Sequence, residues 1–349
     1  MIIKIGLSPF YLLYKIIVYF KNQKYNQSKN VKKVDVPIIS VGNLTVGGTG
    51  KTAIVGWLID YLLDEKIKVG LISRGYKGEF SGVEEVVLNE KTYFGDEPTM
   101  LKFRYPEIPI FVGKNKFDVA AELIKHSSVQ LIIADDAFQH RKLKRDLDVV
   151  LLDVTEDIKN YELLPWGKAR EPFHELDRAH VIIFTKVNLD KQGSYTKILE
   201  KVKGLSSIQD KILLRANFDL SGIVHFIDKS LSLEGGKNYA LLSALGNPAG
   251  FEASVVNYLK TPPKKHFKFS DHHNYESSDM KAVMKEMREE GIQYLVTSQK
   301  DAVKLGAHKE LHSCLYITQL DVKIEDQNGG QEGVQRFFSH LSQLYSQRN

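Results

Sequence analysis

Short apolar runs alternate along this chain with stretches whose apolar residues recur at helical spacing. Runs at 37–41, 68–73, 83–88, 108–112, 129–134, 148–153 and 180–184 read as buried strands. Between several of them the period changes: residues 52–64 carry Ile54, Leu58 and Leu62 on one helical face, and 97–105 and 115–127 are helix-like. Strands alternating with helices predict an α/β fold, a mostly parallel sheet with helices on both faces. In such sheets ligands gather beyond the carboxyl ends of the strands. From about residue 210 the pattern shifts. Residues 240–245 and 294–297 read as further strands, and 276–290, with Met280, Val283, Met284 and Met287, as an amphipathic helix. The stretch 326–332 reads as a loop. The expected organisation is an N-terminal helix over 1–30, a main domain over 31–215 and a smaller α/β domain over 216–349.

The N-terminal segment differs from the rest. Residues 5–20 are rich in Ile, Leu, Tyr and Phe but are interrupted by Pro9 and Lys15. The longest uncharged stretch, 5–14, is far short of the ~20 residues that span a bilayer. At 100° per residue, Lys4, Ser8, Tyr11, Lys15, Tyr19 and Asn22 share one side. That pattern predicts an amphipathic helix lying in a membrane interface. A helix packed on the protein's own core is the alternative.

Composition sharpens this picture in one respect. The 349 residues carry a net charge of +5, yet residues 1–33 hold seven lysines and no acid. Without those lysines 41 basic residues face 43 acidic ones, a balance of −2. The basic excess therefore suits anionic headgroups at one end of the chain rather than nucleic acid along all of it. With 43% hydrophobic residues the chain can bury a sizeable core. The single cysteine, Cys314, permits no internal disulfide and has no partner for zinc spacing. No obligate protein partner is evident.

The strongest chemical signal is Pro37-Ile-Ile-Ser-Val-Gly-Asn-Leu-Thr-Val-Gly-Gly-Thr-Gly-Lys-Thr52. Strand, glycine loop and helix in that order are the context of a phosphate-binding loop. Residues Thr45, Val46, Gly47, Gly48, Thr49, Gly50, Lys51 and Thr52 are the candidate nucleotide-phosphate contacts. Glycines let the backbone N–H groups turn toward a polyphosphate. Lys51 is placed to reach the β- and γ-phosphates, and the Thr52 hydroxyl to bind Mg²⁺. Thr45 stands where GxxxxGK[ST] has its first glycine.

Further clusters follow other strand-like runs. Residues 129–134 lead into Asp135-Asp136-Ala-Phe-Gln139-His140. An apolar strand ending in Asp is the partner a phosphate-binding loop requires for Mg²⁺, and two adjacent carboxylates call for a cation. Capping of a following helix is the competing role. Asp96, in Gly95-Asp-Glu-Pro98, suits an N-cap when the motif is read alone. Arg74 and Arg170 lie in loops where arginines either grip phosphates or stay solvated. Thr185-Lys-Val-Asn188 resembles a guanine-reading motif but ends in Asn where a carboxylate is needed, which argues against GTP. In Asp271-His272-His273 the spacing does not support zinc, so a proton-handling or orienting histidine is the better reading.

Taken in order, residues 41–52, Ser73-Arg-Gly-Tyr76, Gly95-Asp-Glu-Pro98 and Asp135-Asp-Ala-Phe-Gln-His140 resemble the tetraacyldisaccharide 4′-kinase family of lipid A biosynthesis. Arg170-Glu-Pro172, Gly246-Asn-Pro248, Asp271-His272 and Lys300-Asp301 extend the resemblance through the second half. It implies ATP-dependent phosphorylation of the 4′-hydroxyl of a tetraacylated glucosamine disaccharide 1-phosphate. The setting it implies is the cytoplasmic face of the inner membrane of Gram-negative bacteria. It implies Asp96 as the base, supported by His272, with Lys51 and Thr52 on the phosphates and Mg²⁺, and Asp135 and Asp136 completing the metal site. Arg74, Gln139, His140 and Arg170 are then candidate substrate contacts. Two positions depart from the family's usual pattern: Ala137 replaces a glycine, and Lys116 replaces an arginine, keeping charge but losing bidentate geometry. The rival of another class is a membrane-associated nucleotide switch of the partitioning type, which would carry lysine at the position of Val46.

Overall fold

The computed structural model describes residues 2–76, 78–88, 93–271 and 273–346, and side chains from residue 8 onward. The chain opens with helix α1 (Ile2–Asn26) and then enters β1 (Ile38–Asn43), α2 (Lys51–Asp64) and β2 (Val69–Ser73). Next come β3 (Val83–Glu85), α3 (Asp96–Arg104), β4 (Ile110–Gly113), α4 (Lys116–His126) and β5 (Leu131–Asp135). The first half closes with β6 (Leu147–Asp153), β7 (Val181–Thr185) and α5 (Ser194–Lys203). Then follow β8 (Ile212–His225), β9 (Tyr239–Ser243), α6 (Pro248–Leu259), β10 (Lys265–Lys268) and α7 (Ser277–Glu289). The last elements are β11 (Tyr294–Thr297), α8 (Gln299–Leu305), β12 (Leu315–Asp326) and α9 (Glu332–Ser346).

All twelve strands join one sheet in the order β10-β9-β11-β12-β8-β7-β6-β1-β5-β2-β4-β3. Pairing is parallel except between β8 and β12 and between β3 and β4. Alternation along each strand sends neighbouring residues to opposite faces, so fully apolar strands bury both. Ile39, Val41, Leu71 and Ile133 pack with Ile54 and Leu58 of α2 on one face. Ile38, Ile72 and Ile132 meet Val119 and Leu123 of α4 on the other. The expected parallel α/β sheet is present.

The boundary expected between 215 and 216 falls inside β8. This strand and β12 form a long antiparallel ribbon shared by both halves of the sheet. Neither was legible as a strand, because much of the ribbon is only half-buried and lacks a continuous apolar run. Beyond it, Met280, Val283 and Met287 of α7 pack with Leu242, Leu295 and Ile317, the core role expected of those methionines. Helix α9 then returns to the first core, where Val334, Phe337 and Leu341 are buried with residues of α2. Residues 216–349 therefore do not segregate as one unit.

Helix α1 docks through a narrow polar stripe. The Tyr11 ring stacks on Trp166 at 3.8 Å, and the Tyr14 hydroxyl donates to the Arg170 carbonyl at 3.0 Å. Asn22 donates from its amide to Glu175 at 2.7 Å, and Val18 beside it is buried. Tyr11 and Asn22, expected on the headgroup-facing side, thus face the protein. Phe10, Leu12, Leu13, Ile16, Ile17, Tyr19 and Phe20 are each more than half exposed. A helix packed on its own core would bury those residues instead. No helix among the described residues is long and apolar enough to cross a membrane.

Candidate active site

The site forms where β1, β2, β5 and β7 end. Leaving β1, the chain makes the glycine loop and starts α2 at Lys51, with Gly50 as N-cap at φ +88°. A β-carbon there would meet the Phe218 ring at 2.8 Å, so both conformation and space require glycine. The loop is held from behind. Thr185 donates from its hydroxyl to the Thr49 carbonyl at 2.9 Å, and Lys186 from its ammonium to the Gly48 carbonyl at 2.7 Å. Val46 is exposed and its N–H donates to the Lys168 carbonyl, while Thr45 is buried beneath the loop. Open N–H groups at the start of α2, with Gly47 and Gly48 unobstructed in front, make an anion cradle.

Asn43, at the end of β1, is a hub that sequence reasoning passed over. Its carbonyl accepts from Gln139 at 2.9 Å and from Arg170 at 3.2 Å, and its side-chain oxygen accepts from Lys51 at 3.4 Å. Arg170 also grips both oxygens of Asp136, at 2.9 and 2.8 Å. Lys51 lies 3.8 Å from the same carboxylate. Burial works against ionisation of Asp136, but the Arg170 bonds and the Lys51 charge hold its carboxyl well below the usual range. Lys51, Asp136, Gln139 and Arg170 are therefore brought together.

Asp135 plays a different part. One of its carboxylate oxygens accepts from the Ser73 hydroxyl at 3.1 Å. Its other oxygen is buried with no hydrogen-bond partner among the described residues. Burial pushes this carboxyl up, opposed by the charges of Lys51 and Lys116. An orphaned buried carboxylate oxygen beside a phosphate-binding loop fits a divalent cation. No group of three or more His, Cys, Asp or Glu side chains able to hold a metal occurs among the described residues. Mg²⁺ would therefore be completed by Thr52, phosphate oxygens and water, as this ion usually is. Lys116 does not reach the cleft: it is buried and donates to the Asp135 carbonyl, and its ammonium is pushed down by burial.

Asp96 is not the cap of α3; Gly95 is, at φ +94°, where a β-carbon would lie 2.7 Å from the Tyr76 carbonyl. Asp96 sits in the first turn with a buried carboxylate that accepts from the Tyr93 hydroxyl. Lys304 pairs with it at 2.9 Å and Lys300 lies at 3.8 Å. Next to it, Glu97 shares the field of Lys300: burial, then the charge of Asp135, raise its carboxyl to about 7, while Lys51 opposes. Glu97 still presents surface to solvent, as a group lining an open cleft does. Sequence reasoning missed Glu97 although it lies within the quoted motif. His272 lies outside the described residues. Arg74 is exposed after β2, and its charge acts on His140, which burial, then Lys116, lowers to about 4.

Asn188 is taken up locally. Its amide donates to the Phe218 carbonyl and to Asp219, both at 2.9 Å, and its oxygen accepts from the Phe218 N–H. It offers no carboxylate to a guanine.

A glycine loop with lysine, a strand-end Asp and a second buried carboxylate define a phosphate-binding-loop phosphotransferase. Comparison with known proteins narrows this class. The family model for tetraacyldisaccharide-1-P 4′-kinase matches residues 3–339. The tetraacyldisaccharide 4′-kinase of Bdellovibrio bacteriovorus is 35% identical over 330 residues, covering 93% of this chain and 96% of that protein. That of Pelodictyon phaeoclathratiforme is 33% identical over 323 residues, covering 88% and 89%. The crystal structure of LpxK from Aquifex aeolicus in complex with ATP superposes with a TM-score of 0.76 at 26% identity, over 98% of this chain and 99% of that one. The chain belongs to the tetraacyldisaccharide-1-P 4′-kinase family. It is an enzyme, a kinase of lipid A biosynthesis, and the nucleotide-switch alternative falls with that membership.

Proposed function

We propose that this chain transfers the γ-phosphoryl group of ATP to the 4′-hydroxyl of tetraacyldisaccharide 1-phosphate, working from the cytoplasmic face of the inner membrane. The observation that carries the residue assignment is the buried carboxylate of Asp96, adjoining Glu97, which shares the field of Lys51 and Asp135. Asp96 accepts the hydroxyl proton as the sugar oxygen attacks phosphorus, and the bond to the leaving β-phosphate oxygen breaks. Lys51 and the loop N–H groups hold the phosphates in line and offset the negative charge. Thr52 and Asp135 would hold Mg²⁺, which when bound would supply further charge neutralisation at the phosphates. Asp136 keeps Arg170 and Lys51 in place, and Gln139, His140, Arg74 and Arg170 are assigned to contacts with the acceptor. His272 is assigned the role of orienting Asp96.

A lipid acceptor stays in the bilayer, so its kinase must meet it there. The exposed apolar face of α1, with Lys15 and Lys21 also exposed, supports an interfacial docking element. The test is transfer of labelled phosphate from Mg²⁺-ATP to lipid A disaccharide 1-phosphate in detergent micelles. Transfer is expected with wild-type protein, and Asp96→Ala is expected to lower kcat far more than ATP affinity. No transfer under conditions that support a relative's activity would overturn the assignment.

A further inference from the structure

Resting on Asp96 as the base, we propose that Lys304, delivered by α8 from the far side of the β8–β12 ribbon, is a positioning residue that holds the Asp96 carboxylate in its attacking orientation. A carboxylate as buried as Asp96 needs partners for its charge. Its own side of the ribbon supplies the Tyr93 hydroxyl, which burial, then the bond to Asp96, keeps protonated and donating. The cations come from the other side. Lys304 is 2.9 Å from one carboxylate oxygen and Lys300 is 3.8 Å from the other.

The two lysines are not equivalent. Lys304 is itself fixed: its side chain is 11% exposed, and its ammonium also donates to the His273 carbonyl at 3.1 Å. It lies 5.8 Å from the centre of the Tyr93 ring as well. Lys300 is more open and divides its charge with Asp271 at 3.1 Å. Helix α8 is short but anchored, with Ala302 and Leu305 buried in the second core. A rigid donor on a packed helix costs little extra ordering to hold its partner.

A second contact makes the same connection. At the other end of α3, the Phe103 ring stacks on Phe226 at 5.7 Å, and Lys229 lies over both rings. Helix α3 is thus fastened across the ribbon at both ends. The base belongs to one half of the sheet, and its orientation is set by the other.

The experiment compares wild type, Lys304→Met, Lys304→Arg, Asp96→Ala and the double variant, measuring kcat, KM for ATP and melting temperature. Lys304→Met is expected to lower kcat by about 100-fold, the scale of a misplaced reacting group, with KM for ATP unchanged. Lys304→Arg, which keeps the charge, is expected to recover most of that loss. In the Asp96→Ala background, removing Lys304 is expected to cost nothing further, since it acts through Asp96. Lys304→Gln, able to donate to the His273 carbonyl, carries the same test if Lys304→Met does not fold. Turnover of Lys304→Met within about threefold of wild type, or a loss that multiplies in the Asp96→Ala background, would overturn the proposal. Wild-type turnover in Asp96→Ala would instead remove the base reading itself.

Discussion

The guanidinium of Arg170 closes both oxygens of Asp136 into a bidentate pair, at 2.9 and 2.8 Å, while the Arg170 carbonyl receives the Tyr14 hydroxyl of α1. One residue thus touches both the phosphate-site carboxylate and helix α1. Lysine keeps the charge but not the planar fork. Arg170→Lys is expected to lower kcat by roughly tenfold or more, as loss of a charge-assisted bond of about 1.5–3 kcal/mol implies. Steady-state turnover in micelles checks this, and wild-type kcat would show that the fork is dispensable.

Gly50→Ala joins two faults: a left-handed φ of +88° and a clash with the Phe218 ring. The backbone cost alone is about 1–2 kcal/mol. Urea denaturation should show at least that loss, together with weaker ATP binding by calorimetry. Unchanged affinity would mean that the loop tolerates a different conformation around phosphate.

His140 makes stability pH-dependent. Its folded pKa, about 4, lies below the ordinary value of 6.5 because of burial and the nearby charges of Lys116, Lys21 and Arg74. Between those values the unfolded chain takes up a proton that the folded one does not, so stability falls as pH drops through the window. His140→Gln is expected to flatten that part of the profile of urea midpoints against pH. An identical slope in the variant would assign the effect to other groups.

Phe337 tests where the last helix belongs. It is buried in the first core and stacks against Trp57 of α2 at 6.0 Å. Phe337→Ala is expected to destabilise the protein by about 3–5 kcal/mol. Hydrogen exchange should quicken in α2 before α7; faster exchange confined to α7 would count against this packing.

The outward face of α1 can be altered without touching its docking stripe. Ile16→Asp combined with Phe20→Asp should reduce co-sedimentation with anionic vesicles by tenfold or more, at about 1.5–3 kcal/mol per buried apolar side chain. The melting temperature should hold, since both residues are exposed. Undiminished sedimentation would refute the interfacial role.

By itself the sequence determined the elements whose signals are local. The apolar runs at 129–134 and 148–153 became the central strands β5 and β6 because only a covered sheet buries both their faces. Gly47 to Thr52 declared a phosphate site because loop conformation and charge are written in adjacent residues. The motif order carried the family resemblance, which the relatives then established.

Tertiary structure decided what depends on residues far apart in the chain. Asp96, alone, looked like a helix cap; in the fold it is a buried carboxylate paired with Lys304, more than two hundred residues away. Asp135 and Asp136 read as an equivalent pair, and Arg170 separated them by binding one and leaving the other's buried oxygen without a partner among the described residues. The ribbon of β8 and β12 and the return of α9 were hidden for the same reason. Half-buried strands and distant packing leave no period in the sequence, since burial there is conferred by neighbours the chain meets only after folding.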